Sequence, residues 1–191
     1  KNIDTNLSFS GDVITQVFNS TRGHVYEALL IFSLGYAKMY KSPDSQRWPQ
    51  TIKDFFIERI IDHPENTPEI WVNIGRFFNN LIYLDRDWVL SNFNYLFPID
   101  DDDRWKSTFI AYLFFTQQIY DNIYKLLKEN GHYQKAIYTE FEHVSLHEDI
   151  RSVLMSHVAI GYLQGWELLD DNQSLINLVL QRKDSVQIKE L

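Results

Sequence analysis

D-R-D-W-V-L-S-N-F-N-Y-L-F-P-I-D-D-D-D-R-W-K-S-T-F-I-A-Y-L-F-F, residues Asp85 to Phe115, decides the fold class. It holds two of the chain's five tryptophans, a proline stop at Pro98, four consecutive aspartates and then the most apolar run of the sequence. Proline cannot continue a helix, and aspartate favours a helix start, where its carboxylate meets unpaired backbone N–H groups. The stretch therefore predicts a short helix closed by Pro98, a tight acidic turn at Asp100–Asp103, and a second helix from Trp105 buried on nearly every side. That second run has too few polar positions to show a solvent face.

Working outward, helical spacing recurs on both sides. Towards the N-terminus, Val13 to Phe18 predicts a short helix. A long one follows Asn19–Gly23, with Tyr26, Leu29, Leu30, Ser33, Ala37 and Tyr40 on its inner stripe. Gly35 inside it points to close packing by another helix. Ser42-Pro43-Asp44 ends that helix. Thr51 to Ile61 forms a third, and H-P-E-N-T-P breaks it. Thr67 then predicts an N-cap and Pro68 the first helical position of a helix running to Leu84.

Towards the C-terminus, the apolar pattern runs past Thr116 through Ile119, Ile123, Leu126 and Leu127 to a stop at Asn130-Gly131. A helix over Tyr133 to Phe141 follows. A capping box at Ser145 to Glu148 opens a helix carrying Ile150, Val153, Leu154, His157, Ile160 and Gly161. Ser174 to Leu180 is the last. No stretch alternates in the manner of a strand. The expected fold is all-α, an irregular, solenoid-like helical array of about eight to ten helices. It is expected as one domain over residues 1–191, with 1–10 and 183–191 frayed. Because the chain starts at Lys1, it is expected to be a fragment of something longer.

Composition narrows the function classes. The 191 residues are 45% hydrophobic and 15% aromatic, enough for a ring-rich core. A net charge of -8, without a basic cluster, disfavours nucleic acid and anionic membrane as partners. The ten uncharged residues Ala28 to Ala37 fall short of the roughly 18 needed to span a bilayer. With no cysteine, there is no disulfide framework and no thiolate chemistry, which fits a cytoplasmic setting. Phosphate-cradling and nucleophile-elbow motifs are absent.

Three polar groupings invite chemistry. Asp100–Asp103 offers oxygens for Mg²⁺ or Ca²⁺, yet lacks the glycine-turned calcium loop and reads more simply as a cap. His143 and His147 stand four apart, but Ser145 caps between them, which spoils a shared helix face for zinc. Arg22, His24 and Glu27 form a trio whose simplest reading is a helix-break cluster, with Arg22 satisfying carbonyls near Gly23 and pairing with Glu27. His157, on an apolar face, reads as a hydrogen-bonded core residue. The sequons at Asn6, Asn19 and Asn172 matter only in a secreted chain. The tryptophans read as core, an exposed subset being a candidate set of protein-binding anchors. No catalytic, cofactor-binding or metal-binding residue is assigned.

F-N-S-T-R-G-H-V-Y-E-A-L-L, Phe18 to Leu30, resembles the N-x-x-R-G-x-x-x-E-A-L helix start of the C-terminal helical regions of large bacterial antiphage defence proteins, of the sirtuin-like and STAND NTPase types. Asp85, Trp88, Pro98 and Asp100, then Trp105 to Phe114, resemble the next segment of those regions, as do Tyr120 to Lys128 and Y-Q-K-A-I at Tyr133 to Ile137. The buried helix departs from the family's W-x-G-x-L step, with Ile110-Ala111-Tyr112-Leu113 in its place. The resemblance spans about residues 12 to 140. It implies a non-catalytic helical-repeat module C-terminal to an effector enzyme that depletes NAD or cleaves nucleic acid. Such a module recognises a phage-encoded protein or helps self-assembly, so a protein partner, same-chain effector domains or a homo-oligomer are expected. Asn19, Arg22, Gly23, Trp88, Pro98 and Trp105 carry over as scaffold. The competing expectations are a small all-α metal-dependent hydrolase using Asp100–Asp103 or His143 and His147, and a scaffold domain of another large complex.

Overall fold

A computed structural model of the chain describes residues 9, 11–41, 43, 46–141 and 149–182. Among the described residues there are twelve α-helices and no strand, so the chain is all-α. The count exceeds the eight to ten expected because single apolar runs break into two. Contacts gather into two compact units, 1–115 and 116–191, where the sequence reading draws one span.

Unit 1 holds α1 (Val13–Phe18), α2 (Thr21–Tyr40), α3 (Gln50–Ile57), α4 (Pro68–Arg76), α5 (Phe78–Leu84), α6 (Arg86–Ser91), α7 (Phe93–Leu96) and α8 (Asp102–Phe115). Its centre is the pair α4 and α8, brought together across three intervening helices. Every residue of α4 from Pro68 to Gly75 is buried, and so are Trp105 and Ser107 to Leu113 of α8. At Gly75 the backbones nearly touch: an added Cβ would lie 1.9 Å from the Thr108 carbonyl oxygen and 3.0 Å from the Ala111 Cβ. Helices α1 and α2 pack on α4 from the other side. The Asn73 side chain donates to the carbonyl oxygens of Gly23 (3.2 Å) and Glu69 (2.9 Å), which fixes the start of α2 to the middle of α4.

The acidic turn behaves as a cap. Asp101 Oδ1 accepts from the Arg104 N–H at 3.1 Å, and its other oxygen pairs with the Arg104 guanidinium at 3.2 Å. The Asp101 N–H donates to the Pro98 carbonyl, so Pro98 closes the turn. Trp105 stacks on Phe109, and Phe78, Phe97 and Tyr112 extend the rings from α5 across α8. Such edge-on and offset pairs add to the apolar burial.

Several expectations need correcting. The run expected as one helix from Pro68 to Leu84 divides at Phe77, whose φ of -100° and ψ of 14° leave the helical basin. That turn brings Phe78 into the ring cluster. Thr67 occupies the N-cap position, but its hydroxyl makes no capping bond. The segment before Pro98 forms two short helices, α6 and α7, the first capped by the Asp85 carboxylate on the Trp88 N–H. The third helix is α-helical only to Ile57 and widens into a π turn over Glu58–Asp62, in which the His63 N–H reaches the Glu58 carbonyl at 2.7 Å.

Unit 2 holds α9 (Asp121–Glu129), α10 (His132–Tyr138), α11 (Ile150–Leu163) and α12 (Leu175–Arg182). The apolar pattern expected to run on past Thr116 stops as helix at Phe115 and restarts only at Asp121. Gly131, at φ 80°, makes the left-handed link between α9 and α10. The cap of α11 is Asp149, whose carboxylate accepts from the Arg151 N–H. Ser145 and the capping box expected around it lie outside the described residues.

Gly75→Ala is expected to destabilise the chain by about 1–3 kcal/mol in urea denaturation, because the methyl group meets backbone and not a movable side chain. Gly35→Ala, where nothing lies within 4 Å, is expected to stabilise it by up to about 1 kcal/mol. Equal effects at the two positions would contradict this account of the α4–α8 contact.

Candidate functional site

The Arg22, His24 and Glu27 trio does not converge. Arg22 pairs with Glu65 at 2.6 Å, not with Glu27 as expected, and Glu27 pairs with Arg76 of α4 at 2.8 Å. His24 reaches Glu27 only at 3.6 Å and is largely exposed. The reason is helical direction: Arg22 and Tyr26 share the edge of α2 that meets the π turn, whereas Glu27 leans towards α4. Sequence reading missed Glu65 as the hub because it lies 39 residues from Tyr26. The Tyr26 hydroxyl donates to Glu65 Oε1, Arg59 approaches the same oxygen at 3.5 Å, and the Trp71 indole N–H donates to the Glu65 carbonyl at 3.0 Å. Burial, followed by the hydrogen bond to Glu65, pushes the Tyr26 phenol above its ordinary value, so it stays a donor. This cluster ties α2 to the segment before α4.

The other motif residues are equally structural. Asn19 closes α1 by donating to the Thr15 carbonyl at 2.9 Å. Gly23 is buried, with the Val17 carbonyl oxygen 2.1 Å from where a Cβ would stand, so α1 and α2 fold tightly there. Trp88 meets Trp48 edge-on at 5.2 Å, beside the Lys53–Asp85 ion pair. Trp48, Trp71 and Trp105 are buried and Trp88 and Trp166 half-buried, so no tryptophan stands out as an exposed anchor.

In unit 2 the centre is Glu167, fully buried and absent from the sequence-based expectations. Its Oε1 accepts from the Tyr124 hydroxyl at 3.0 Å and pairs with Lys128 at 2.8 Å, and its Oε2 accepts from the Leu175 N–H at 2.8 Å. One carboxylate thus joins α9 to the start of α12, and removing one member of such a pair costs about 3–5 kcal/mol. Gly161 gives the Tyr124 ring its place, since a Cβ there would lie 2.4 Å from the hydroxyl. His157, expected as a hydrogen-bonded core residue, has its Nδ1 2.9 Å from the Tyr133 hydroxyl. An open groove of about 540 Å³ runs past Lys128, Gln134, Asp171, Gln173 and Leu178. Its lining mixes both charges with amides and brings no reactive pair together.

His143 and His147 lie outside the described residues. Among the described residues, no three His, Asp or Glu side chains gather closely enough to hold a metal ion. Nor is any described helix long and apolar enough to cross a membrane.

Exposed apolar residues gather on the outer face of α2, and others, Leu163, Leu168 and Leu169 among them, lie in unit 2. The inner stripe of α2 is Gly23, Tyr26, Leu30, Ser33 and Ala37. Opposite it, Val25, Phe32 and Met39 are exposed, Phe32 by 59% and Met39 by 69%, with Ile31 exposed on one flank. Tyr40, expected on the inner stripe, lies outside because the helix end overhangs its neighbours, and its ring packs on Tyr36 at 4.7 Å. Gly35, expected under another helix, faces open space. Contiguous exposed apolar surface on a helix is a candidate binding face, since water penalises leaving it bare. Searches of family models, of curated proteins and of solved structures find no match to this chain.

The buried His132 supplies a test of unit 2. Burial, with a smaller contribution from the Lys135 charge, pushes its imidazole down from 6.5 to about 4. The unfolded chain therefore takes up this proton first. Stability should fall by roughly 3 kcal/mol as pH drops from about 6.5 to about 4 and level off below that. In urea denaturation across this range, His132→Gln is expected to lose that part of the slope. An unchanged slope would contradict the assignment.

Proposed function

We propose that this chain is a non-catalytic helical module that works by docking protein against the outer face of α2. The observation that carries the reading is the stripe Val25, Phe32 and Met39 with Ile31 beside it, apolar and exposed along the helix. The polar clusters support it from the other side. Glu65 and Glu167 hold helices together, Asp101 caps α8, and these carboxylates are spent on internal donors. The resemblance of Phe18–Leu30 and Asp85–Phe114 to the helical-repeat regions of bacterial antiphage defence proteins supplies the setting. In it, a cytoplasmic module recognises a phage-encoded protein or assembles with its own kind, and an effector enzyme lies elsewhere in a longer chain.

The experiment is capture of individually expressed phage proteins by the purified chain, with Phe32→Glu/Met39→Glu as the matched variant. The expected result is that a captured protein is lost at least about tenfold in affinity with the variant, as for central interface residues. Equal capture by the variant would remove α2 from the interface. A rise of several degrees in Tm on adding Mg²⁺ or Zn²⁺ would favour the metal-dependent hydrolase instead.

A further inference from the structure

The outer face of α2 has a regular pattern. Val25, Ala28, Phe32, Gly35 and Met39 recur at alternating spacings of three and four residues, and all five are exposed. That is the seam spacing of paired helices, in which bulky residues of one helix enter the spaces of the other. Here the seam alternates in size: Phe32 and Met39 project, whereas Ala28 and Gly35 leave hollows, and at Gly35 no atom stands within 4 Å of a Cβ position.

We infer that the occupant of this face is a second copy of the same chain, its α2 lying antiparallel, with Phe32 over the partner's Gly35 and Met39 over the partner's Ala28. This rests on the reading of α2 as the docking surface and names its partner. The argument is self-complementarity. A two-fold contact requires one surface to carry both projections and the hollows that receive them. In the antiparallel register the four central residues of this seam pair large with small: Phe32 meets Gly35, Gly35 meets Phe32, Ala28 meets Met39 and Met39 meets Ala28. A parallel pair would set Phe32 against Phe32 and Gly35 against Gly35, a clash beside a void. It would also align the two helix dipoles unfavourably. The antiparallel register places Ile31 beside the stem of the partner's Lys38, an apolar cover that leaves the charge in water. Leu29 and Tyr36, both half-buried on one flank, meet across the same seam.

One helix face is smaller than the roughly 20–30 residues a side of a standard interface, so the pair is expected to dissociate on dilution. Sedimentation equilibrium between about 1 μM and about 1 mM should show the mass rising from 22.8 kDa towards twice that value. Phe32→Glu and Gly35→Leu should each hold it at the single-chain mass. Both positions are exposed, so circular dichroism should match the wild type and Tm should not fall, which shows that the loss is not unfolding. Orientation is read by cross-linking, because the chain has no cysteine of its own. Ala28→Cys and Met39→Cys chains, mixed and oxidised, should form the mixed disulfide, and neither alone should cross-link.

A disulfide joining two Ala28→Cys chains, or two Met39→Cys chains, would overturn the antiparallel register. A constant single-chain mass would overturn self-pairing altogether. If that monomer still loses capture of another protein on Phe32→Glu/Met39→Glu, the docking reading stands and only the choice of partner falls.

Discussion

The near-contact of two backbones, Gly75 of α4 against Thr108 of α8, is the constraint on which unit 1 depends. A helix buried along every residue from Pro68 to Gly75 can exist only if a neighbour comes close enough to exclude water from its whole length. Glycine permits that approach, and the small Ala111 extends it along α8. Once α4 and α8 are locked, the surrounding helices inherit their positions. Asn73 holds the start of α2, Glu65 gathers Arg22, Tyr26 and Arg59 at its edge, and the rings of Phe78 and Phe97 close over Tyr112 of α8.

This arrangement has a consequence for α2. Its inner stripe is consumed by α4 and by the Tyr26–Glu65 cluster, which fix the helix about its own axis. The opposite stripe then has a defined direction and composition, and among the described residues no other helix of unit 1 covers it. A rigidly held apolar face costs little conformational entropy when it binds, and this is what makes a helix a useful docking element. In unit 2 the buried Glu167 does the holding, and the chemistry of that carboxylate is structural for the same reason as that of Glu65: its oxygens are engaged by internal donors.

Much of the helical content was legible because spacing is a local property. Pro68 at a helix start, the acidic cap before Trp105 and the Asn130-Gly131 stop all act through residues within one turn. Breaks at Phe77 and at Thr116–Tyr120 were not legible, because apolar spacing continues across both and only tertiary packing decides where the chain turns. The trio at Arg22, His24 and Glu27 shows the same limit. Its members are adjacent in sequence, yet their partners Glu65 and Arg76 come from other elements. Glu167 was invisible for that reason, since Tyr124 and Leu175 lie 43 and 8 residues away. The outer face of α2 was hidden differently. Spacing picked out Tyr26, Leu30, Ser33 and Ala37 of the inner stripe, but not that the apolar residues opposite them stay exposed, because α2 is apolar on both sides.

Native-state hydrogen exchange of the dilute chain tests the central claim most directly. If the α4–α8 contact organises unit 1, amides of Ile70–Gly75 and Phe109–Leu113 should exchange only through complete unfolding of that unit, with α2 opening at lower free energy. Exchange of α4 and α8 through a cheaper local opening, while α2 stays protected, would contradict it.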